Sequence, residues 1–290
     1  IGLELALKRL DDKDEILAEL LVLPDSFFSE YLKFELNYIL VKVYADELQW
    51  AELITSAEKI RAEFPQQKNE DIDLLMATAL IELNQYAEAD TLLADLYANS
   101  KDNKALLKWA ELEFITGNYS SAQEKYLLAY KNKADSEIWV KLLECSEANN
   151  YENFDEFWSL GATYLKNHPE VNVIRLRQLY SSQRFEEAKQ LAEFIINNNL
   201  STFDHATAFL VMGMVDYCNQ SYPAAIATFK KVVVLFPEYK DIRSKAVFYI
   251  VLSLLESEAR TEAEAFFTKY ETELEEAEKK VLLELLEENQ

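Results

Sequence analysis

The residues of this chain that could do chemistry are few and scattered. The chain has only two histidines, His168 and His205, and two cysteines, Cys145 and Cys218. His168 precedes Pro169 and His205 falls at the start of a helical stretch, and neither has a Cys, Asp or Glu partner at zinc-site spacing. Both read as loop or capping residues. No GxSxG, GxxxxGK or HExxH occurs, so the usual routes to an activated serine, a bound phosphate or a catalytic zinc are missing. Carboxylates are plentiful, yet pairs such as Glu186 with Glu187, or Glu275 with Glu276, are adjacent on helices and do not face each other. They read as solvated surface. The expectation is a non-enzyme with no cofactor and no metal.

Charge narrows the partners. The 52 acidic residues against 29 basic ones give a formal charge of −23, which repels polyanions. Nucleic acid is not expected as a ligand. The nearest basic clusters, Lys230 with Lys231 and Arg175 with Arg177, are too small for a footprint and read as helix surface. A disulfide between Cys145 and Cys218 is not expected, because they lie two repeats apart in the periodicity described next. Unpaired cysteines suit a reducing compartment but also tolerate export, so cytoplasm and periplasm both stay open. No apolar run approaches the roughly 20 residues of a membrane span. The chain starts at Ile1 rather than methionine, which suggests a processed or truncated N-terminus.

The elements that would position any site are helices. Only four Gly and five Pro occur in 290 residues, which disfavours glycine-dependent nucleotide folds and β-sandwiches and predicts few turns of special geometry. The stretch AFLVMGMVDYCNQSYPAAIATFKKVVVLFP places Gly213, Ala225, Phe229 and Pro237 at intervals of 12, 4 and 8, with Tyr222 three before Ala225. A second good copy, WAELEFITGNYSSAQEKYLLA, carries Ala110, Gly117, Tyr119, Ala122, Tyr126 and Ala129. Weaker copies place Leu53, Ala89, Phe157, Ala188 and Ala263 in the same register, at intervals between 31 and 38 residues. In the fourth copy NNYENF stands where NxY is expected, implying about two extra residues in its turn.

This pattern resembles the tetratricopeptide repeat, a helix pair of about 34 residues. The resemblance implies an all-α, right-handed superhelical solenoid of antiparallel helix pairs, with about seven repeats over residues 31–272. Residues 1–30 would supply N-terminal capping helices, Ile1 to Leu10 and Lys13 to Leu23, and residues 273–290 a C-terminal capping helix in one continuous stack. Small residues such as Ala77 and Ala89, Ala110 and Ala122, or Gly213 and Ala225 would let paired helices approach. Leu53 in place of alanine predicts looser packing in the first repeat.

In such a stack the first helices line a concave surface. Stepping by three or four residues from the buried small positions predicts the stripe facing it. Its candidate partner-binding residues are Tyr38, Leu74, Leu107 and Phe114 in one half of the chain. In the other half they are Arg177, Tyr180, Leu210, Met214, Tyr217 and Phe248. Large apolar residues on an otherwise polar face mark binding sites; the competing expectation is that they touch one another across a tight interior. The chaperone-tail clamp of some tetratricopeptide proteins is not expected, because the series Lys42, Thr78, Glu111, Glu144, Arg177, Met214 includes two acids.

The expected role is a non-catalytic scaffold that holds a protein or peptide partner in the groove. The composition suggests a bacterial protein, and the resemblance to the tetratricopeptide family then implies a part in an envelope, secretion or assembly machine. The alternatives are a homo-oligomerisation module acting through leucines of the terminal helix, or an accessory domain of a larger enzyme.

Overall fold

The computed structural model describes residues 29–67, 69–161, 169–198 and 201–287, and among them there is no strand. The expected N-terminal capping helices and His168 lie outside the described residues. The chain divides into two compact units, residues 1–149 and 150–290. The first holds α1 (Glu30–Asp46), α2 (Trp50–Glu63), α3 (Glu70–Glu82), α4 (Tyr86–Ser100), α5 (Asn103–Ile115), α6 (Tyr119–Asn132) and α7 (Ser136–Ala148). The second holds α8 (Phe154–Leu160), α9 (Pro169–Ser181), α10 (Phe185–Asn197), α11 (Thr202–Cys218) and α12 (Tyr222–Leu235). It continues through α13 (Lys240–Glu256), α14 (Arg260–Tyr270), a 3-10 turn (Glu271–Glu273) and α15 (Glu276–Glu287). Each helix pair occupies the register read from the sequence.

The two helices of a pair start by different physical means. Five of the first helices are capped by side chains: Ser29, Asn69, Asp102, Asp135 and Ser201 each accept a hydrogen bond from a free N–H of the first turn, whereas α13 starts after Tyr239 without one. At Ser201 the bond is reciprocal, since Asp204 accepts from the Ser201 N–H at 3.1 Å. The second helices α2, α4, α6, α10, α12 and α14 have no side-chain cap. The preceding turn positions them instead.

That turn corrects the expectation of few special geometries. Leu48, Asn84, Gly117, Gln183, Gln220 and Glu258 all adopt positive φ, and only one of them is glycine. Each follows the C-terminus of a first helix. The next residue donates its N–H five residues back, as Gln85 does to the Leu80 carbonyl and Ser221 to the Asp216 carbonyl, both at 2.8 Å. This is the Schellman closure of a helix C-terminus. It recovers carbonyls that would otherwise be orphaned, which offsets the roughly 1–3 kcal/mol strain of a left-handed side-chain-bearing residue. The fourth turn differs, as the extra residues in NNYENF require. Asn150, Tyr151 and Asn153 all have positive φ there, and Phe154 N–H donates to the Tyr151 carbonyl at 3.2 Å.

Packing follows the small-residue pattern. Ala77, Ala89, Ala110, Ala122 and Ala225 are wholly buried, as are Leu53 and Ala188. At Gly213 a Cβ would lie 2.6 Å from the Phe229 ring, so α11 and α12 meet at a distance that only glycine allows. Phe229 is itself wholly buried and stacks on Tyr249 of α13, with centroids 5.4 Å apart. One ring thus joins two repeats. At the end of the second unit, Leu274, Leu282 and Leu286 complete the core around Ile250 and Leu254. There α15 is pinned by Glu278, which accepts from Ser244 Oγ, and by Arg260, which donates to the Leu286 carbonyl.

Two outcomes follow. Gly213→Ala adds overpacking of about 1–3 kcal/mol against about 1 kcal/mol of helix propensity gained, so the variant should be less stable by denaturant unfolding. Phe229→Leu in the same chain should recover part of that loss; a variant at least as stable as the parent would show that the ring yields freely. Conversely, Glu258→Gly should stabilise by about 0.5–1 kcal/mol in the same assay, because it relieves the left-handed strain and leaves the Schellman bonds in place.

Candidate functional site

In the second unit the N-terminal halves of α11 and α13, with Arg177 from the C-terminal half of α9, line a cleft of about 520 Å³. Arg177 forms one side, Thr207 and Leu210 the floor, and Phe203, Tyr239, Lys240, Ile242 and Lys245 the other side. The capping box at Ser201 fixes the start of α11 and with it the aim of Phe203, which is 43% exposed at the rim. Phe203 meets the Tyr239 ring edge-on at 5.4 Å, and the Thr202 and Tyr239 hydroxyls hydrogen-bond at 2.6 Å. The wall is therefore built before any partner arrives. In a chain of charge −23, this cleft gathers three cations, Arg177, Lys240 and Lys245, beside two acids, Glu238 and Asp241.

Of the stripe read from the sequence, Arg177 and Leu210 line this cleft. Leu210 is only 7% exposed, so it is floor rather than rim. The other candidates of this unit are half-buried and take part in packing. Tyr217 meets Tyr249 at 5.3 Å and Tyr222 at 5.7 Å, Phe248 lies against Tyr249 at 5.5 Å, and Met214 packs on the same core. Tyr180 tilts against Phe185 at 5.8 Å, and its hydroxyl lies 3.5 Å from Cys218 Sγ. Cleft-lining residues that sequence reasoning missed include Phe203, Thr207, Tyr239, Lys240, Ile242 and Lys245. The signal was available: carrying the same steps from Leu210 back to Thr207 and Phe203, and from Phe248 back to Lys245, reaches half of them.

In the first unit the predicted residues are likewise half-buried. Tyr38 stacks on Phe34 at 6.3 Å, donates its hydroxyl to Asp71 Oδ2 at 3.3 Å and carries Lys42 over its ring at 4.4 Å. Leu74 joins the core beside it, and Phe114 meets Tyr119 edge-on at 5.4 Å. Leu107 lies half-buried on α5. A polar network holds the next contact: Trp109 Nε1 donates to Asp90 at 2.6 Å, and Lys125 lies over the Trp109 ring while bridging to Glu113 at 2.8 Å.

The reactive side chains are placed as follows. Cys145 is wholly buried, and burial pushes its thiol up to about 12. Cys218 is exposed, and both cysteines are free. His205 sits in the first turn of α11, with Nε2 2.9 Å from the Asn198 carbonyl. Of the paired carboxylates, Glu187 is held by a bidentate Arg184, at 2.7 and 2.5 Å. Arg175 is bonded to Asp155 and Gln178, both at 2.9 Å. Among the described residues no group of three or more His, Cys, Asp or Glu could hold a metal ion. No described helix is long and apolar enough to cross a membrane.

The fold is that of tetratricopeptide-repeat proteins, an array of antiparallel helix pairs. The chain is similar to a tetratricopeptide repeat protein from Parabacteroides merdae, with a TM-score of 0.62 at 13% identity over 87% of this chain and 97% of that one. It is similar to the C-terminal part of a TPR repeat-containing protein from Cytophaga hutchinsonii, with a TM-score of 0.59 at 14% identity over 80% and 93%. A third similarity, to the quorum sensor NprR from B. thuringiensis, has a TM-score of 0.59 at 14% identity over 86% and 80%. At these identities the likeness establishes the fold. No protein-family model and no curated protein matches the sequence.

The aromatic hydroxyls make the packing measurable. Burial, before any neighbouring charge, raises the values of Tyr126, Tyr180, Tyr217 and Tyr249 above the ordinary 10. A phenol whose folded value exceeds its unfolded one contributes stability that is complete below pH 10 or so and is lost as the pH rises beyond it. Absorbance titration should therefore show exposed tyrosines ionising first and these four only with unfolding. Tyr217→Phe should remove amplitude from the late phase alone; loss from the early phase would place Tyr217 in solvent.

Proposed function

We propose that the chain is a non-catalytic protein-interaction scaffold, and that a segment of its partner seats in the cleft formed by α9, α11 and α13. The observation that carries this reading is the pre-built wall: Phe203 stands exposed at the rim, held by Tyr239, over an apolar floor with cations on both sides. Aromatic anchors in a rigid cleft lose little conformational entropy on binding and dominate interface energetics. The half-buried stripe from Tyr180 to Phe248 supplies the continuing surface along the first helices.

The absence of catalysis belongs to the same proposal. The buried thiol of Cys145 and the half-buried hydroxyls of Tyr180 and Tyr249 are held protonated by their surroundings, the reverse of what activates a nucleophile. A role as one part of a larger bacterial assembly, or as the accessory domain of an enzyme, is compatible with such a scaffold. Self-association through α15 is the second reading, favoured by the exposure of Val281 and Leu283. Its surface is narrower than the apolar stripe implied, because Leu282 and Leu286 are buried in the core of the unit itself.

The test is affinity capture with parent protein and with two exposed cleft variants, Phe203→Ala and Lys240→Glu. Both should fold, as circular dichroism would show, and both should lose the species the parent retains. Equal recovery by all three would count against the cleft as the seat of binding.

A further inference from the structure

We propose a second docking surface on the first unit: the groove between α2 and α4 takes a basic amphipathic helix of another protein. It is independent of the cleft on α9, α11 and α13, because it is built from second helices and lies in the other unit. Its walls are α2 and α4, its floor is α3, and two adjoining hollows of about 370 and 680 Å³ share Arg61, Leu92 and Asp95 along it. Half-buried Ile54, Phe64 and Leu92 give it an apolar lining.

Charge selects the occupant. Glu58, Glu70, Glu88 and Asp95 stand exposed around the groove, and no described cation pairs with them. Among the described residues of the lining the one cation is Arg61, and it is already used: it pairs with Asp73 at 3.0 Å and donates to the Met76 sulfur at 3.6 Å. An apolar channel with an uncompensated acidic rim is complementary to a helix whose apolar stripe is flanked by Lys and Arg. Nucleic acid and acidic segments are repelled by the same rim. The 14 residues of α2 set the length, since at 1.5 Å per residue they extend about 21 Å, or about four turns of a bound helix.

The probe is a labelled 14-residue synthetic peptide with leucines at helical spacing and lysines elsewhere, titrated against the whole chain by fluorescence anisotropy. The parent should bind it, more weakly as salt is raised. Glu58→Lys with Asp95→Lys should weaken binding about tenfold, because attraction at the rim becomes repulsion. The control pair Glu186→Lys with Glu193→Lys, on exposed positions of α10, makes the same change in net charge and should leave affinity within about twofold. Circular dichroism checks that each variant folds. No binding by the parent, an equal loss in both pairs, or equal binding of a glutamate-for-lysine peptide would overturn the proposal. Loss of peptide binding in Phe203→Ala, with Glu58→Lys and Asp95→Lys without effect, would place the peptide in the other cleft and also overturn it.

Discussion

The contact of Phe229 with Gly213 on one side and Tyr249 on the other is the constraint on which the second unit depends. A pair of helices has more apolar surface than its own interface can bury, and the excess must be covered by the next pair. Phe229 does both jobs with one ring. Its edge occupies the space left by the missing Cβ of Gly213, and its face covers the neighbouring repeat. Neither repeat has a complete core alone. The same logic applies to α15, which supplies Leu282 and Leu286 to the core around Ile250 and Leu254 of α13.

How far the sequence reveals this differs by feature. The helices and their register were legible because apolar spacing and small residues at the contacts agree. Positions such as Ala89 and Ala122 are wholly buried where the register places them. The turns were not legible, because their conformation does not come from the residue that adopts it. Leu48, Gln183 and Glu258 have no preference for positive φ, and the hydrogen bonds of the helix end impose it. Only Gly117 advertised the turn. In the fourth repeat the two extra residues were legible, but not the run of left-handed residues that accommodates them.

For the site, the residue types were right and the extent was too short. A stripe read outward from a buried small residue finds one face of a helix, but each end of that face meets different neighbours. Toward the C-terminal ends of α9 and α11, Tyr180 and Tyr217 reach the next repeat and are drawn into its packing. Toward the N-terminal ends of α11 and α13 a cleft opens. No periodicity distinguishes those ends, because the difference lies in the side chains across the gap, such as Tyr239 from the preceding loop.

The reach of the tertiary contacts has a consequence for how the chain is made. Among the side-chain hydrogen bonds described, the longest in sequence joins Tyr180 to Cys218, 38 residues apart. Loop closure over such distances is inexpensive, and folding governed by local contacts is fast. Domains begin to fold from the N-terminal side during synthesis, at roughly 5–20 residues per second. A newly emerged hairpin here needs only the next one, a few seconds behind it on the ribosome, to cover its open face. Exposure of that face in the nascent chain is therefore brief and renewed at each repeat, which limits the time available for aggregation.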